Sequence, residues 1–235
     1  MNAPLPKNVM SQPLEHLQLQ VQAIRLEAQG ICSFELTDPD GHALPSFEAG
    51  AHVDVHLAGG LVRSYSLAGD PQDASKWVLG VLREPKSRGG SQAMHDKVRV
   101  GDVITVGPVR NAFPMTTDAK HTILLGGGIG ITPLKSMAHV LAASGASFEL
   151  HYCARGLKQV AFMDELRATV PAERLHVHLD DGDPAKGLDI QALLREPASE
   201  THVYFCGPGG FMKACAEASA HWPEGTVHSE HFKAP

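Results

Sequence analysis

Two glycine-rich corners carry the residues of this chain best suited to chemistry. The first is Leu124-Leu125-Gly126-Gly127-Gly128-Ile129-Gly130-Ile131-Thr132-Pro133. The second, about 80 residues on, is Val203-Tyr204-Phe205-Cys206-Gly207-Pro208-Gly209-Gly210-Phe211-Met212. Each reads as an apolar strand that turns through glycines into an amphipathic helix. Thr132 suits an N-cap, and Pro133 suits a first helical position, where no amide hydrogen is needed. A helix N-terminus presents free amide hydrogens and about half a positive charge, so each corner suits a phosphate. Two such corners on one parallel sheet suggest a dinucleotide lying across the carboxyl ends of the strands. The first corner departs from Gly-x-Gly-x-x-Gly, because Ile131 stands at the third glycine. Cys153-Ala154-Arg155 also replaces the acidic residue expected after the next strand. A tightly packed strand–helix turn is the alternative reading.

Upstream, Arg63-Ser64-Tyr65-Ser66-Leu67 lies in alternating, strand-like sequence with Arg63 and Tyr65 on one face. An arginine fork can hold a phosphate in two-point contact, and a tyrosine can cover an aromatic ring. An exposed strand arginine beside a half-buried tyrosine is the plainer alternative. Arg88-Gly89-Gly90-Ser91 opens a short helix and offers amides and a hydroxyl to a second phosphate face, or is a flexible turn. With the two corners, these residues point to flavin and nicotinamide used together. Cys206 ends a strand at the carboxyl edge, where its thiol could pack against a nicotinamide ring or simply be buried. His176-x-His178 followed by Asp180-Asp181 has no third ligand at a sensible spacing, so no metal site is assigned. No Ser/His/Asp set or carboxylate pair stands out, and hydrolysis is not indicated.

These residues need two kinds of scaffold. Strands are expected at 17–23, 31–36, 52–57, 61–67, 77–82 and 103–106, with turns at Asp38-Pro39-Asp40-Gly41, Gly59-Gly60, Gly69-Asp70-Pro71 and Gly101-Asp102. Short strands at regular spacing predict an antiparallel barrel, interrupted by one helix from Gly90 to about Val98. After Phe113-Pro114 strands and helices alternate: strands at 122–125, 148–153, 175–179, 202–206 and 227–232, and helices at 133–144, 161–169, 189–194 and 211–220. That rhythm predicts a doubly wound parallel sheet. The expected domains are residues 14–114 and 118–235.

Net charge is -6 over 235 residues, which gives no electrostatic case for nucleic acid or an anionic membrane. No apolar run approaches the roughly 20 residues of a bilayer span, and Met1 to Pro13 reads as a loose polar arm rather than a signal peptide. Cys32, Cys153, Cys206 and Cys215 are scattered, which suits a reducing cytoplasm and excludes the Cys-x4-Cys-x2-Cys spacing of a plant-type 2Fe–2S site.

Taken in order, Arg-Ser-Tyr-Ser, Arg-Gly-Gly-Ser, Gly-Gly-Gly-Ile-Gly-Ile-Thr-Pro and Cys-Gly-Pro-x-x-Phe-Met resemble the ferredoxin-NADP reductase superfamily. Asn111-Ala112-Phe113-Pro114 and Ser229-Glu230-His231-Phe232 bring the chain closest to the phthalate dioxygenase reductase type. The resemblance covers nearly all of the chain after Leu17. It implies a flavin barrel, with FMN rather than FAD, followed by a nicotinamide domain. It places Arg63, Ser64, Tyr65 and Ser66 on the flavin strand and Gly80, Val81 and Leu82 beside it. Gly89, Gly90 and Ser91 fall on the phosphate turn, with Arg88 before them a further cofactor-binding candidate. Gly128, Cys206, Gly207 and Pro208 fall on the nicotinamide side, Thr132 near where the two rings meet, and Phe232 where the chain end nears the flavin. From the first corner Gly127, Gly130 and Pro133 are further cofactor-binding candidates, and Cys206 and Thr132 are the catalytic ones. The implied activity is an FMN-dependent NADH oxidoreductase feeding a 2Fe–2S centre of a Rieske-type aromatic-ring dioxygenase or demethylase. Hydride transfer needs two rings held in place rather than a general acid or base, in keeping with the missing dyad. The family's C-terminal 2Fe–2S domain has no counterpart here, so that domain is expected to be truncated or supplied by a separate ferredoxin. The alternatives are a stand-alone NAD(P)H:flavin or ferredoxin reductase or oxidase, and a non-enzymatic nucleotide-sensing module.

Overall fold

The computed structural model describes residues 16–116 and 118–232. The arm read over Met1 to Pro13 and the terminal Lys233-Ala234-Pro235 lie outside them. Strands β1 (Leu17–Ala28), β2 (Ile31–Thr37), β3 (His52–Leu57), β4 (Leu61–Ser66), β5 (Trp77–Leu82) and β6 (Val103–Val106) form an antiparallel sheet of order β4-β3-β6-β1-β2-β5. Alternation sets their inner face: Val21, Phe34, Leu36, Val53, Val55, Leu79, Val81 and Val106 are all buried in one cluster. Register shifts within β1 bend the sheet. Its two edge strands then meet, through a bridge between Leu67 and Leu79 and an Ala68 amide bond to the Val78 carbonyl. Helix α1 (Gly90–Lys97) adds Met94 to the same core.

The second sheet is parallel throughout. It comprises β7 (His121–Gly127), β8 (Ser147–Ala154), β9 (Leu175–Leu179), β10 (Thr201–Cys206) and β11 (Val227–Glu230), in the order β11-β10-β7-β8-β9. The chain adds β8 and β9 on one side of β7, then returns to add β10 and β11 on the other. β7 and β10 therefore flank the switch point of the sheet, where ligands of open α/β folds bind. Helices α2 (Ile131–Ala143) and α3 (Met163–Thr169) share one core cluster with Leu124, Leu150 and Tyr152. Helices α4 (Ile190–Leu193) and α5 (Gly209–Ala218) share another with Ile123, Leu125, Val203 and Phe205.

Helix α2 begins earlier than its sequence signals suggest. A 3-10 turn over Gly128–Gly130 precedes it, and the Ile131 amide bonds to the Gly128 and Ile129 carbonyls. Gly130 is thus the N-cap, while Thr132 sits inside the first turn and donates its hydroxyl back to the Ile129 carbonyl at 3.0 Å. The chain winds up before Thr132 is reached. The expected end at Gly145 is present: its φ is +68°, its amide bonds to Ala142 O and the Ala146 amide to Leu141 O.

The two sheets share a packed seam. Ile31, Ala49 and Phe113 belong to the same cluster as α2 and β10. Lys135 of α2 is fully buried, donating to the Ala68 carbonyl at 2.6 Å and to the Glu165 carboxylate of α3. Among the described residues, no helix is long and apolar enough to cross a membrane.

Candidate functional site

The two glycine corners meet at the switch point. Gly126 lies in register with Cys206. A Cβ on Gly130 would stand 2.2 Å from the Cys206 carbonyl oxygen, and one on Gly207 would stand 3.0 Å from Gly127 Cα and 2.7 Å from Phe211 Cδ1. A Cβ on Gly127 would press on Pro208 and Phe211 at 3.0 Å. Only glycine lets the corners close this far. Their helices differ in access. Gly130, Ile131, Thr132 and Pro133 are buried, whereas Pro208, Gly209 and Gly210 are exposed at the start of α5. The exposed helix N-terminus, whose free amides suit an anion, is therefore the second one. The first corner is chiefly a packing corner, with Gly128 and Ile129 half-buried.

A second polar centre forms where β4 meets α1. A Cβ on Gly90 would stand 2.4 Å from Arg63 Cγ and Nε, so the arginine rests on the first residue of the helix. Gly89, at φ +91°, makes the left-handed turn into α1. Arg63 donates to the Val62 carbonyl at 2.7 Å and the Arg88 carbonyl at 3.0 Å. Its remaining donors lie beside the first amides of α1, a combination suited to a phosphate. The Ser91 hydroxyl already accepts the Glu84 amide at 3.1 Å, so it braces the turn. Arg88 contributes its backbone carbonyl.

The Arg63–Ser66 quartet divides between two faces. Register on β3 sets Arg63 and Tyr65 opposite Val55 and Val53, and Ser64 and Ser66 opposite Asp54 and His52. Burial pushes Tyr65 up to about 12, against the pull of the Arg63 charge. Ser64 donates to Asp54 Oδ1 at 2.5 Å, and Asp54 in turn pairs with Arg110 at 2.5 Å. Ser66 reaches the seam with β11. There Ser66 Oγ, His52 Nδ1 and Glu230 Oε2 are all buried without a hydrogen-bond partner. His52 Nδ1 lies 3.9 Å from Glu230 Oε1, and Glu230 is in register with Cys206. Burial lifts the Glu230 carboxyl to about 7, although the Ser66 hydroxyl, near it but outside hydrogen-bond geometry, pulls it down. Burial and the Arg110 charge lower His52, and burial with the Glu230 charge raises Cys206, which therefore stays a thiol. Buried polar atoms without partners are costly and call for a polar ligand. A flavin ring edge, with its N–H and carbonyl groups, fits them.

Other sequence candidates land differently. A Cβ on Gly80 would meet Thr132 Cγ2 at 2.5 Å and Phe162 Cζ at 2.9 Å, so Gly80 is where α2 presses on β5. Val81 points into the barrel core, with its carbonyl 2.8 Å from His95 Nε2, and Leu82 is half-buried. Cys206, read as packing against a nicotinamide ring or simply buried, and Thr132, expected near the ring meeting point, are 0% and 2% exposed. Phe232, two residues past Glu230, is 44% exposed. Sequence reasoning did not single out His52 or Glu230 as site residues. Each is one polar residue in a strand, and only the pairing of distant strands reveals what it faces. The four cysteines, on β2, β8, β10 and α5, are all free, and no three gather.

Residues 124–217 match the oxidoreductase NAD-binding domain family. The tert-butanol monooxygenase/tert-amyl alcohol desaturase reductase subunit of Aquincola tertiaricarbonis is 46% identical, the match covering 94% of this chain and 65% of the relative. For the vanillate O-demethylase oxidoreductase of Pseudomonas putida the figures are 47%, 88% and 66%. The phthalate dioxygenase reductase of Burkholderia cepacia is 42% identical over 93% of this chain and 68% of its own length. A solved phthalate dioxygenase reductase, described as a modular structure for electron transfer from pyridine nucleotides to [2Fe–2S], superposes with a TM-score of 0.88 at 42% identity. It covers 92% of this chain and 68% of that one. The chain thus spans about two thirds of the length of these relatives.

Proposed function

Because this chain belongs to the phthalate dioxygenase reductase-like family of ferredoxin reductase-like oxidoreductases, we propose that it moves electrons from NADH through FMN to a 2Fe–2S centre. That centre serves a Rieske-type oxygenase or demethylase, and sits on a ferredoxin domain or protein outside these residues. The observation that carries the reading is the meeting of the two glycine corners beside a seam with three unpartnered buried polar atoms. Residues 14–114 are assigned to the flavin and 118–235 to the nicotinamide, and four free thiols suit a reducing cytoplasm.

Bound FMN would supply the ability to accept two electrons together and give them up one at a time. The chain's own residues bind and orient. Arg63 and the first amides of α1 neutralise phosphate. Ser66, His52 and Glu230 meet the polar ring edge, with Tyr65 on the barrel side of β4. Gly207 and the open end of α5 receive the dinucleotide, and the buried Cys206 backs the ring position from within the sheet. Glu230, half protonated near pH 7, can hold or release a proton at its carboxyl oxygens.

The test is direct. Protein reconstituted with FMN should be yellow, bleach with NADH and reoxidise slowly in air. A chain that retains no flavin, or whose flavin NADH leaves oxidised, would end this reading.

A further inference from the structure

The sheet face that buries Ile123, Leu125, Val203 and Phe205 under α4 and α5 continues across β8 and β9. Register carries it from Ile123 to Glu149, from Leu125 to His151, and on to His176; His178 lies opposite Cys153. Parallel strands ordinarily bury apolar residues on both faces. This half-face instead gathers Glu149, His151, His176 and His178, with His121 at the start of β7. Glu149 is the hub: Oε2 lies 3.5 Å from His151 Nε2 and 4.0 Å from His176 Nε2, and Oε1 lies 3.9 Å from His121 Nε2. Ligand atoms of Glu149, His151 and His176 all lie within 4.8 Å of one another. The His151 side chain is only 8% exposed, and its Nε2 is buried with no hydrogen-bond partner. A buried imidazole nitrogen without a partner is costly, and here it stands 3.5 Å from a carboxylate oxygen with the His176 ring stacked alongside.

We propose that Glu149, His151 and His176 bind one divalent transition-metal ion of the zinc class, through the carboxylate oxygen and the two Nε2 atoms. Two imidazoles and a carboxylate suit zinc, cobalt or nickel, whereas magnesium and calcium take all-oxygen sets. Donors around a tetrahedral zinc, with bonds of 2.0–2.1 Å, stand about 3.3 Å apart. The 3.5 and 4.0 Å separations shorten to that value on binding, and the stacked His151 and His176 rings, 4.8 Å between centroids and 26° apart in plane, turn so that both Nε2 lone pairs converge on the ion. His176 is 38% exposed, so water can fill the fourth position. An outer layer is in place. His178 Nε2 lies 3.0 Å from His151 Nδ1, and a proton on Nδ1 leaves the His151 Nε2 lone pair for the metal. His121, itself 2.8 Å from the Ser147 hydroxyl, faces the other carboxylate oxygen. The site lies back from the carboxyl ends of the strands and ties β8 to the edge strand β9. It revises the sequence reading, in which His176 and His178 had no third ligand. The missing ligands come from β8, across the sheet rather than along the chain.

The experiment uses the untagged full chain, dialysed against chelator and then against Zn²⁺ or Co²⁺. One tightly held ion per chain by elemental analysis is expected, along with a four-coordinate Co²⁺ visible spectrum. His176→Ala and Glu149→Gln should each weaken binding by at least about 10–100-fold. His42→Ala should change nothing; His42 stands in a separate exposed group with Asp38 and Asp40. Because a variant can misfold, the imidazole resonances of the unaltered chain give an independent reading: Zn²⁺ should shift those of His151 and His176 first. No saturable ion, binding that survives both substitutions, or first shifts at His42 would each overturn the proposal.

Discussion

Arg63 rests on Gly90 with two donors already given to the Val62 and Arg88 carbonyls, so its place is set before any ligand arrives. Arg63→Ala should leave the fold intact and weaken FMN binding about 10–100-fold, the scale of one charge-assisted hydrogen bond. Flavin absorbance retained after gel filtration measures it. Glu230 makes the opposite kind of prediction, about pH. Its folded pKa, about 7, stands above the ordinary carboxyl value because burial disfavours the charge. A raised pKa contributes stability that is fully present below the unfolded value and is lost as the pH rises through the folded one. Flavin-free protein should therefore lose about 2–3 kcal/mol between pH 5 and pH 8 relative to Glu230→Gln. Denaturant titrations of both proteins at the two pH values check this, and parallel pH profiles would contradict it.

Elements show what a helix or corner does beyond its own residues. Helix α2 is the strut between the sheets, since Lys135 reaches the Ala68 carbonyl on one side and Glu165 on the other. Against burial, the His139 hydrogen bond and the Lys135 charge hold Glu165 down to about 2, while burial lowers Lys135 against the pull of the Glu165 charge. Lys135→Met strands the Ala68 carbonyl and should cost about 1–3 kcal/mol in denaturant unfolding. Gly130→Ala places a carbon against backbone that no rotamer change can move, and should cost about 2–3 kcal/mol. The strand and helix spans were largely legible, because alternation and glycine turns are local signals. The start of α2 was not: Thr132 and Pro133 look like a cap and first turn, yet the 3-10 turn ahead of them had already begun the winding.

At the scale of the whole molecule, the proposed electron delivery divides into two steps that can be measured apart. NADH should reduce a small acceptor such as ferricyanide, while coupling to an oxygenase should require an added plant-type ferredoxin. The thiols on β2, β8, β10 and α5 cannot converge on one cluster, so analysis should find no stoichiometric iron. Near-stoichiometric iron with acid-labile sulfide would refute this. NADH should also outperform NADPH in specificity constant, although Arg155 and Lys158 are exposed after β8, where basic side chains can hold a 2′-phosphate. A higher value with NADPH would reverse that expectation.

The sequence by itself determined the two architectures, the order of the motifs and the identity of the glycine corners, because periodicity, turn residues and local glycine needs are written within a few residues. Only the tertiary structure decided which corner is open, that Cys206 and Thr132 are shut in, and that His52, Ser66 and Glu230 share one seam. It alone brought Glu149 and His151 to His176. These outcomes depend on which strands become neighbours and in what register, and that is fixed by burying the whole core at once rather than by any local signal.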